Sequence, residues 1–449
     1  MTTEPTSPFF STPEMDRIFS LSVQLRRMTR FEWALTFALE SAGLAGEGAA
    51  AVMEPLVDCD FVDVPLLLNE ARQAGNLAIP FVRQLTAKVR QRNEAAAALI
   101  HLGATSQDVL DTALVLQSRE ALTLILSRLD ELETLLVDRA RAHAGTAMAA
   151  RTWLQDGPPT TFGLKIAGWI AALRRHRQRL RAAGERAIVL EFGGAVGTLA
   201  ALGEKGAEVS AALARTLDLR EPELPWHTHR DNLVEMAAAL GMLVGTLGKM
   251  ARDFALLMQT EIGEVSEPAG EGRGRSSTMP HKNNPIACAA TVAAAMRAPA
   301  LVATLLSAMM QEHERGLGNW QAEWETYPEV FRLADAALDR SIEIARGMRV
   351  FPERMAANLE ATGGLAMAEA VSVALAVRIG GQRAHELIRS ASQRTHAEGR
   401  SLREILIAMP EVREHFSQAE IDRLLDPRNY LGSSQRFVER VVGGFNGAR

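Results

Sequence analysis

The chain has 449 residues, enough for about three domains of some 150 residues each or for one long architecture with a sizeable core. Hydrophobic residues make up 47% and charged residues 23%, which excludes a disordered, collagen-like or disulfide-stapled chain. Lys and Arg number 49 against 54 Asp and Glu, a net charge of −5, so no global basic field favours nucleic acid or an acidic membrane surface. Any anion site must then be a local pocket. Residues 1–10 hold Glu4 and two prolines but no basic stretch followed by an apolar one, so a signal peptide is not expected and the cytoplasm is the default. Cys59 and Cys288 are far apart and lack metal-ligand spacing, which predicts free thiols in a reducing compartment.

In chain order, the first predicted domain is helical and covers 1–110. A long helix follows within 108–143, a stretch without Gly or Pro whose apolar seam is Leu122, Ile125, Leu129, Leu132 and Leu136. The cluster Arg174, Arg175, His176, Arg177, Arg179 and Arg181 reads as a solvated helix face. Residues 192–203, with Gly193, Gly194, Gly197 and Gly203, read as a loop, and strand signals are weak throughout. A second seam runs through Leu233, Met236, Leu240, Leu243, Leu247, Met250, Phe254 and Leu257. A third helix is predicted to start at Asn284-Pro285, with Asn284 as its cap, and to run to about Glu314 with Pro299 inside. These lengths predict an all-α protein with a central long-helix bundle at 111–346 and a smaller helical domain at 347–449 after the Gly347 break. Several stretches are apolar on more than one face, which predicts association through the bundle. No run of about 18 apolar residues is free of charge, so membrane spans are not expected.

The chemistry concentrates in the loop 263–285, GEVSEPAGEGRGRSSTMPHKNNP. It combines the hydroxyls of Ser276 and Ser277, the cations Arg273, Arg275 and Lys282, the amides of Asn283 and Asn284, and a helix N-terminus just downstream. Together these can make an anion site with a base beside it. The alternative reading is a polar interhelix loop capped at Asn284. Arg315, Trp320, Glu323 and Trp324 either line a cavity or pack the bundle end, packing being the commoner use of Trp. His227 and His229 lack a third ligand for a metal site, and none is expected.

SSTMPHKNNP matches the signature loop of the fumarase/aspartase superfamily, GSS-x-MP-x-K-x-NP, except that Arg275 replaces the leading Gly. HLGATSQDVLDT at 101–112 resembles the first conserved region of that superfamily and RTWLQDGPPTTFGLK at 151–165 the second. FFSTPEMDRIFS near the start, QEHERGLGNWQAEWE at 311–325 and LDPRNYLG near the end extend the resemblance over essentially the whole chain. They are similar to the branch holding the adenylosuccinate lyases and the carboxymuconate cycloisomerases. The resemblance implies three helical domains, a homotetramer with active sites shared between subunits, and addition or elimination next to a carboxylate. It implies Ser276 as the catalytic base. It implies substrate contacts from Thr105, Ser106, Thr152, Gln155, Thr228, Arg230, Arg275, Ser277, Met279, Lys282, Asn284 and Arg315, with Lys282 and Asn284 on the carboxylate that takes up the carbanion charge.

One position separates the branches. The lyases that this chain resembles carry a His after Arg-Thr in the second region, which protonates the leaving nitrogen, whereas this chain has Trp153. A basic leaving group needs a proton donor, which contributes typically about 10²–10⁴-fold. A carboxylate, with a pKa of roughly 4, needs none. Trp153 therefore fits lactonisation of a muconate, in which a carboxylate attacks the conjugated double bond and Ser276 supplies the proton. No metal, nucleotide or redox cofactor is called for. If another His has taken over the acid role, His101 and His281 lead the candidates, with His227, His229 and His313 behind them. Asp156 stands where similar cycloisomerases have His, and Arg275 is an added cation, so a 3-sulfomuconate is a variant substrate to consider. The competing readings are an adenylosuccinate lyase-type C–N lyase releasing fumarate and a non-catalytic helical scaffold.

Overall fold

The computed structural model describes residues 8–268, 270, 274, 279 and 282–443. Contacts divide the chain into two units. The first comprises 1–129, 175–248 and 293–339, the second 130–174, 249–292 and 340–449. The first long helix, α1 (Leu21–Ser41), begins where the Ser20 hydroxyl accepts the Val23 N–H. Its buried face runs Leu25, Met28, Phe31, Leu35 and Leu39, and Glu32 lies within that face. Helix α2 (Ser106–Ala142) has 37 residues, about 55 Å at 1.5 Å per residue. All five of its seam leucines and isoleucines are buried. Helix α3 (Phe162–Ala187) carries the arginine cluster, and α4 (Asp231–Leu257) buries every residue of the second predicted seam.

Helix α5 (Ile286–Ala308) departs from expectation at both ends. Its first amides are capped by the buried carboxylate of Glu267, which accepts the N–H groups of Ala287 (3.2 Å) and Cys288 (2.8 Å), and not by Asn284. It stops at Ala308 and not near Glu314, because the Asn319 side-chain amide donates to the carbonyls of Ala308 and Met310. Pro299 is accommodated inside the helix. Helix α6 (Asn319–Gly347) ends at the predicted Gly347 break. Further on, Val371, Leu375, Ile388, Leu402, Ile405 and Leu406 form the core of short helices that fill the rest of the second unit.

The weak strand signal concealed a hairpin. β1 (Ala147–Thr152) pairs antiparallel with β2 (Gln155–Thr161), Thr152 opposite Gln155 and Arg151 opposite Asp156. The two-residue turn is Trp153-Leu154, with φ of 54° and 63°. Such primed turns normally carry Asn or Gly, so no sequence rule flagged this one. Helices α4 and α5 are long and apolar enough to cross a bilayer by length and composition alone, although neither holds a charge-free run of about 18 residues. Of the most apolar 18-residue window of α5, 28% is buried within the chain, and Met296 and Leu306 lie exposed on it. Cys59 and Cys288 are both free thiols.

Candidate active site

In the first unit the site is organised around the N-terminus of α2. Asp108, in its first turn, accepts the Thr105 N–H (2.9 Å) and the N–H groups of Gly193 and Gly194 (3.0 Å each). Its Oδ1 also lies 2.6 Å from His227 Nε2. One carboxylate thus ties the loop 101–105 to the glycine loop 193–199. The two backbones meet closely enough to exclude side chains. A Cβ on Gly194, whose φ is +69°, would sit 2.7 Å from the Gly103 carbonyl oxygen, and one on Gly103 (φ +80°) would sit 2.7 Å from Leu202. Glu191 completes the node, with Oε2 accepting the Trp226 N–H (2.8 Å) and Oε1 3.2 Å from His227 Nε2. Burial, then the neighbouring Asp108 and Asp111, pushes the Glu191 carboxyl well above its ordinary range.

Asp108, Glu191 and His227 bring ligand atoms within 4.8 Å of one another, a grouping the sequence did not predict. Both oxygens of Asp108 are already engaged by N–H donors, and Oε2 of Glu191 by the Trp226 N–H. The arrangement is a hydrogen-bond node that holds two loops together.

One turn further along α2, Asp111 faces Arg230. The guanidinium is fully buried and donates to Asp111 (2.6 and 3.1 Å) and to Glu323 of α6 (2.6 to 3.1 Å). Burial alone would lower the Arg230 pKa, but the two carboxylates more than offset it. Trp320 Nε1 and Gln107 Nε2 also donate to Asp111, both at 3.0 Å. Arg315 donates to Gln107 Oε1 and to the Ala195 carbonyl, 2.8 Å each, which fastens the segment after α5 onto the glycine loop.

In the second unit the Arg151 guanidinium makes a two-pronged ion pair with buried Glu264 (2.9 and 2.8 Å), and Asn358 donates to the same carboxylate at 2.8 Å. This pair anchors the hairpin one residue pair below its turn. At its tip Trp153 is 97% exposed and Leu154 74%, while Thr152 and Gln155 flank them at the surface.

The expected site residues are therefore distributed. Thr105, Ser106, Thr228 and Arg315 lie partly exposed in the first unit, around the Asp108 node. Arg230, expected to touch substrate, is instead buried and engaged by two carboxylates, so its role here is to brace α2 against α6. Thr152, Gln155, Met279, Lys282 and Asn284 belong to the second unit, Met279 and Lys282 exposed and Asn284 partly so. Arg275, Ser276, Ser277 and His281 lie outside the described residues. Trp320 is buried and hydrogen-bonded, in keeping with packing. Sequence reasoning missed Glu32, Asp108, Asp111, Glu191 and Glu264. Glu32 carried a readable signal, a carboxylate in the middle of an apolar helix face.

The profile described as lyase matches residues 73–299, and that of the adenylosuccinate lyase C-terminus matches 364–441. Over 435 residues the chain is 50% identical to the 3-carboxy-cis,cis-muconate cycloisomerase of Pseudomonas aeruginosa, covering 97% of this chain and 95% of that protein. It is 46% identical over 436 residues to the protein of the same name from Bradyrhizobium diazoefficiens, covering 97% of each. The crystal structure of 3-carboxy-cis,cis-muconate lactonizing enzyme from Pseudomonas putida shares the fold with a TM-score of 0.92 at 48% identity, again over 97% of each chain. The match extends through both units, the hairpin with Trp153 and the signature loop, and so the chain belongs to the fumarase/aspartase superfamily of lyases, in the family of the 3-carboxy-cis,cis-muconate cycloisomerases.

Proposed function

We propose that this chain is an intramolecular lyase that closes 3-carboxy-cis,cis-muconate, or a 3-substituted analogue such as 3-sulfomuconate, to a muconolactone in aromatic catabolism. The observation that carries the reading is near-full-length identity of 46–50% to cycloisomerases of that name. The hairpin supports it chemically. Its tip holds Trp153 and Leu154, neither of which can give or take a proton. A lyase expelling an amine needs an acid, whereas an attacking carboxylate does not.

In the proposed reaction a carboxylate oxygen adds to the conjugated double bond. The new C–O bond closes a five-membered ring, and the electron pair shifts to the neighbouring carbon, which takes a proton from the Ser276 hydroxyl. Solvent restores that proton. Because the step is intramolecular, positioning supplies much of the rate. Lys282 and Asn284 are assigned to the carboxylate that carries the developing charge. Thr105, Ser106, Thr152, Gln155, Thr228, Arg275, Ser277, Met279 and Arg315 are assigned to the rest of the substrate. The working form is a cytoplasmic homotetramer. Exposed Met242, Met296 and Leu306 on the two long apolar helices α4 and α5 support that assembly, as does a 97% exposed Trp153. In it, neighbouring subunits and not lipid would cover α4 and α5.

The test is to mix purified protein in parallel with 3-carboxy-cis,cis-muconate and with adenylosuccinate. Loss of the conjugated diene absorbance that disappears in Ser276→Ala is expected. AMP release would replace the proposal with a C–N lyase, and no reaction with either would favour a scaffold.

A further inference from the structure

Glu32 has no side-chain exposure, and both of its oxygens serve a single residue. Oε2 accepts the backbone N–H of His101 at 2.9 Å, and Oε1 lies 2.7 Å from His101 Nδ1. A buried carboxylate on an apolar helix face is costly unless it is paired, so this contact is what justifies Glu32 at that position. His101 in turn sits at φ 62°, a left-handed conformation uncommon for a residue with a side chain. The pair therefore holds both the backbone and the ring of His101 in one arrangement. A carboxylate at Nδ1 fixes the proton there and leaves Nε2 as the outward nitrogen. Among the described residues Nε2 has no hydrogen-bond partner, and the imidazole is 22% exposed. It stands four residues before Thr105, on the loop that Asp108 ties down.

The charged groups facing His101 are Glu32 from α1 and Asp108 from α2. Burial opposes charge on the ring, but these two carboxylates outweigh it and raise its pKa above the ordinary histidine value. The mechanism above gives His101 no part. When the ring is protonated, its outward Nε2–H next to a helix N-terminus is a match for a carboxylate, and the proposed substrate has three.

We propose that Glu32 is a positioning residue that fixes the tautomer, orientation and charge of His101, so that Nε2–H of His101 holds a carboxylate of the substrate. The role of His101 rests on the proposed function; the action of Glu32 on His101 does not.

Two readouts test it. The first is the His101 pKa, followed by NMR of the ¹⁵N-histidine-labelled enzyme, assigned by His101→Asn, in wild type and in Glu32→Gln. The expected result is a wild-type value above 6.5 that falls in Glu32→Gln. A value at or below 6.5, or one that Glu32→Gln does not move, overturns the proposal. The second is the pH dependence of kcat/KM for diene loss in wild type and His101→Asn; Asn tolerates the left-handed conformation, so this variant keeps the loop. Expected are a rise in KM of about 10- to 100-fold with a smaller change in kcat, as for a lost hydrogen bond to a charged group. The fall of wild-type activity as pH rises through the His101 pKa should vanish in the variant. An unchanged KM overturns the proposal. If wild type does not turn the muconate over at all, the proposed function fails, and the NMR readout still decides whether Glu32 controls His101. Should Glu32→Gln fold poorly, Glu32→Asp, which keeps the charge but shortens the reach, must also lower the His101 pKa.

Discussion

Replacing Arg230 by Met removes the central cation of the node between α2, α4 and α6. The guanidinium makes five contacts of 2.6 to 3.1 Å to Asp111 and Glu323, whose side chains are each 3% exposed. After the change Asp111 keeps Gln107 and Trp320 as donors, and Glu323 keeps Gln311. Two buried carboxylates then face each other without a counter-charge. Breaking a buried ion pair from one side costs about 3–5 kcal/mol, a large part of the roughly 5–15 kcal/mol that holds a typical protein folded. Burial already raises the Glu323 carboxyl, and loss of the cation raises it further. A carboxyl with a raised folded pKa imposes its cost above that pKa and is relieved as pH falls. The deficit of Arg230→Met should therefore be largest near pH 7.5 and smaller at pH 5.5. Adding Asp111→Asn and Glu323→Gln should recover most of it. Urea unfolding followed by circular dichroism, at one protomer concentration and both pH values, measures all of these. A loss below about 1 kcal/mol, or a deficit that grows toward pH 5.5, would refute the argument that charge pairing and not packing makes Arg230 necessary.

At the hairpin tip, Trp153 is almost fully exposed within the single chain and is assigned to the subunit contact proposed above, so Trp153→Ala should weaken the tetramer in analytical ultracentrifugation and lower kcat/KM for the muconate at least tenfold, with the helical circular dichroism unchanged; an intact tetramer with undiminished rate would contradict this. Burial, followed by Arg179 and Arg175, pushes His176 down to about 4, and its Nε2 is 2.7 Å from the Thr246 hydroxyl. A depressed histidine pKa gives stability that is full above the unfolded value near 6.5 and is lost as pH falls toward 4, worth about 1–2 kcal/mol at pH 5. In His176→Gln the stability difference between pH 7.5 and pH 5 should shrink by that amount, and an unchanged difference would count against the burial argument. Glu267→Ala leaves two buried N–H groups of α5 without an acceptor and should cost about 1–3 kcal/mol in thermal or urea unfolding. Asn284→Ala should cost less than half as much, because Asn284 is not the cap.

The long helices were readable because a seam of Leu, Ile, Met and Phe at 3,4 spacing has one physical solution, and each such residue of α2 and α4 is buried as the spacing requires. What escaped was set by partners distant in sequence. The cap of α5 comes from 20 residues upstream, and its end is set by an amide 11 residues downstream. The hairpin turn uses Trp153 and Leu154 in a conformation that local preference assigns to Gly or Asn. Glu32 meets His101 across 69 residues and Asp108 meets His227 across 119, distances at which no local pattern operates. Helix α5 passes a test of length and composition despite lacking a charge-free run of 18 residues, because one Arg, at 297, is the only charged residue in it. The chemistry, by contrast, was legible in short motifs, since a reactive loop needs its residue types at fixed spacing whatever surrounds it.

The central claim is that one C–O bond and one C–H bond form within a single molecule. Running the reaction in D₂O and examining the product by proton NMR and mass spectrometry tests it most directly. The account predicts a lactone carrying one deuterium, on the carbon next to the new C–O bond, and no product from Ser276→Ala. Fumarate in place of a lactone, or a lactone without deuterium, would contradict it.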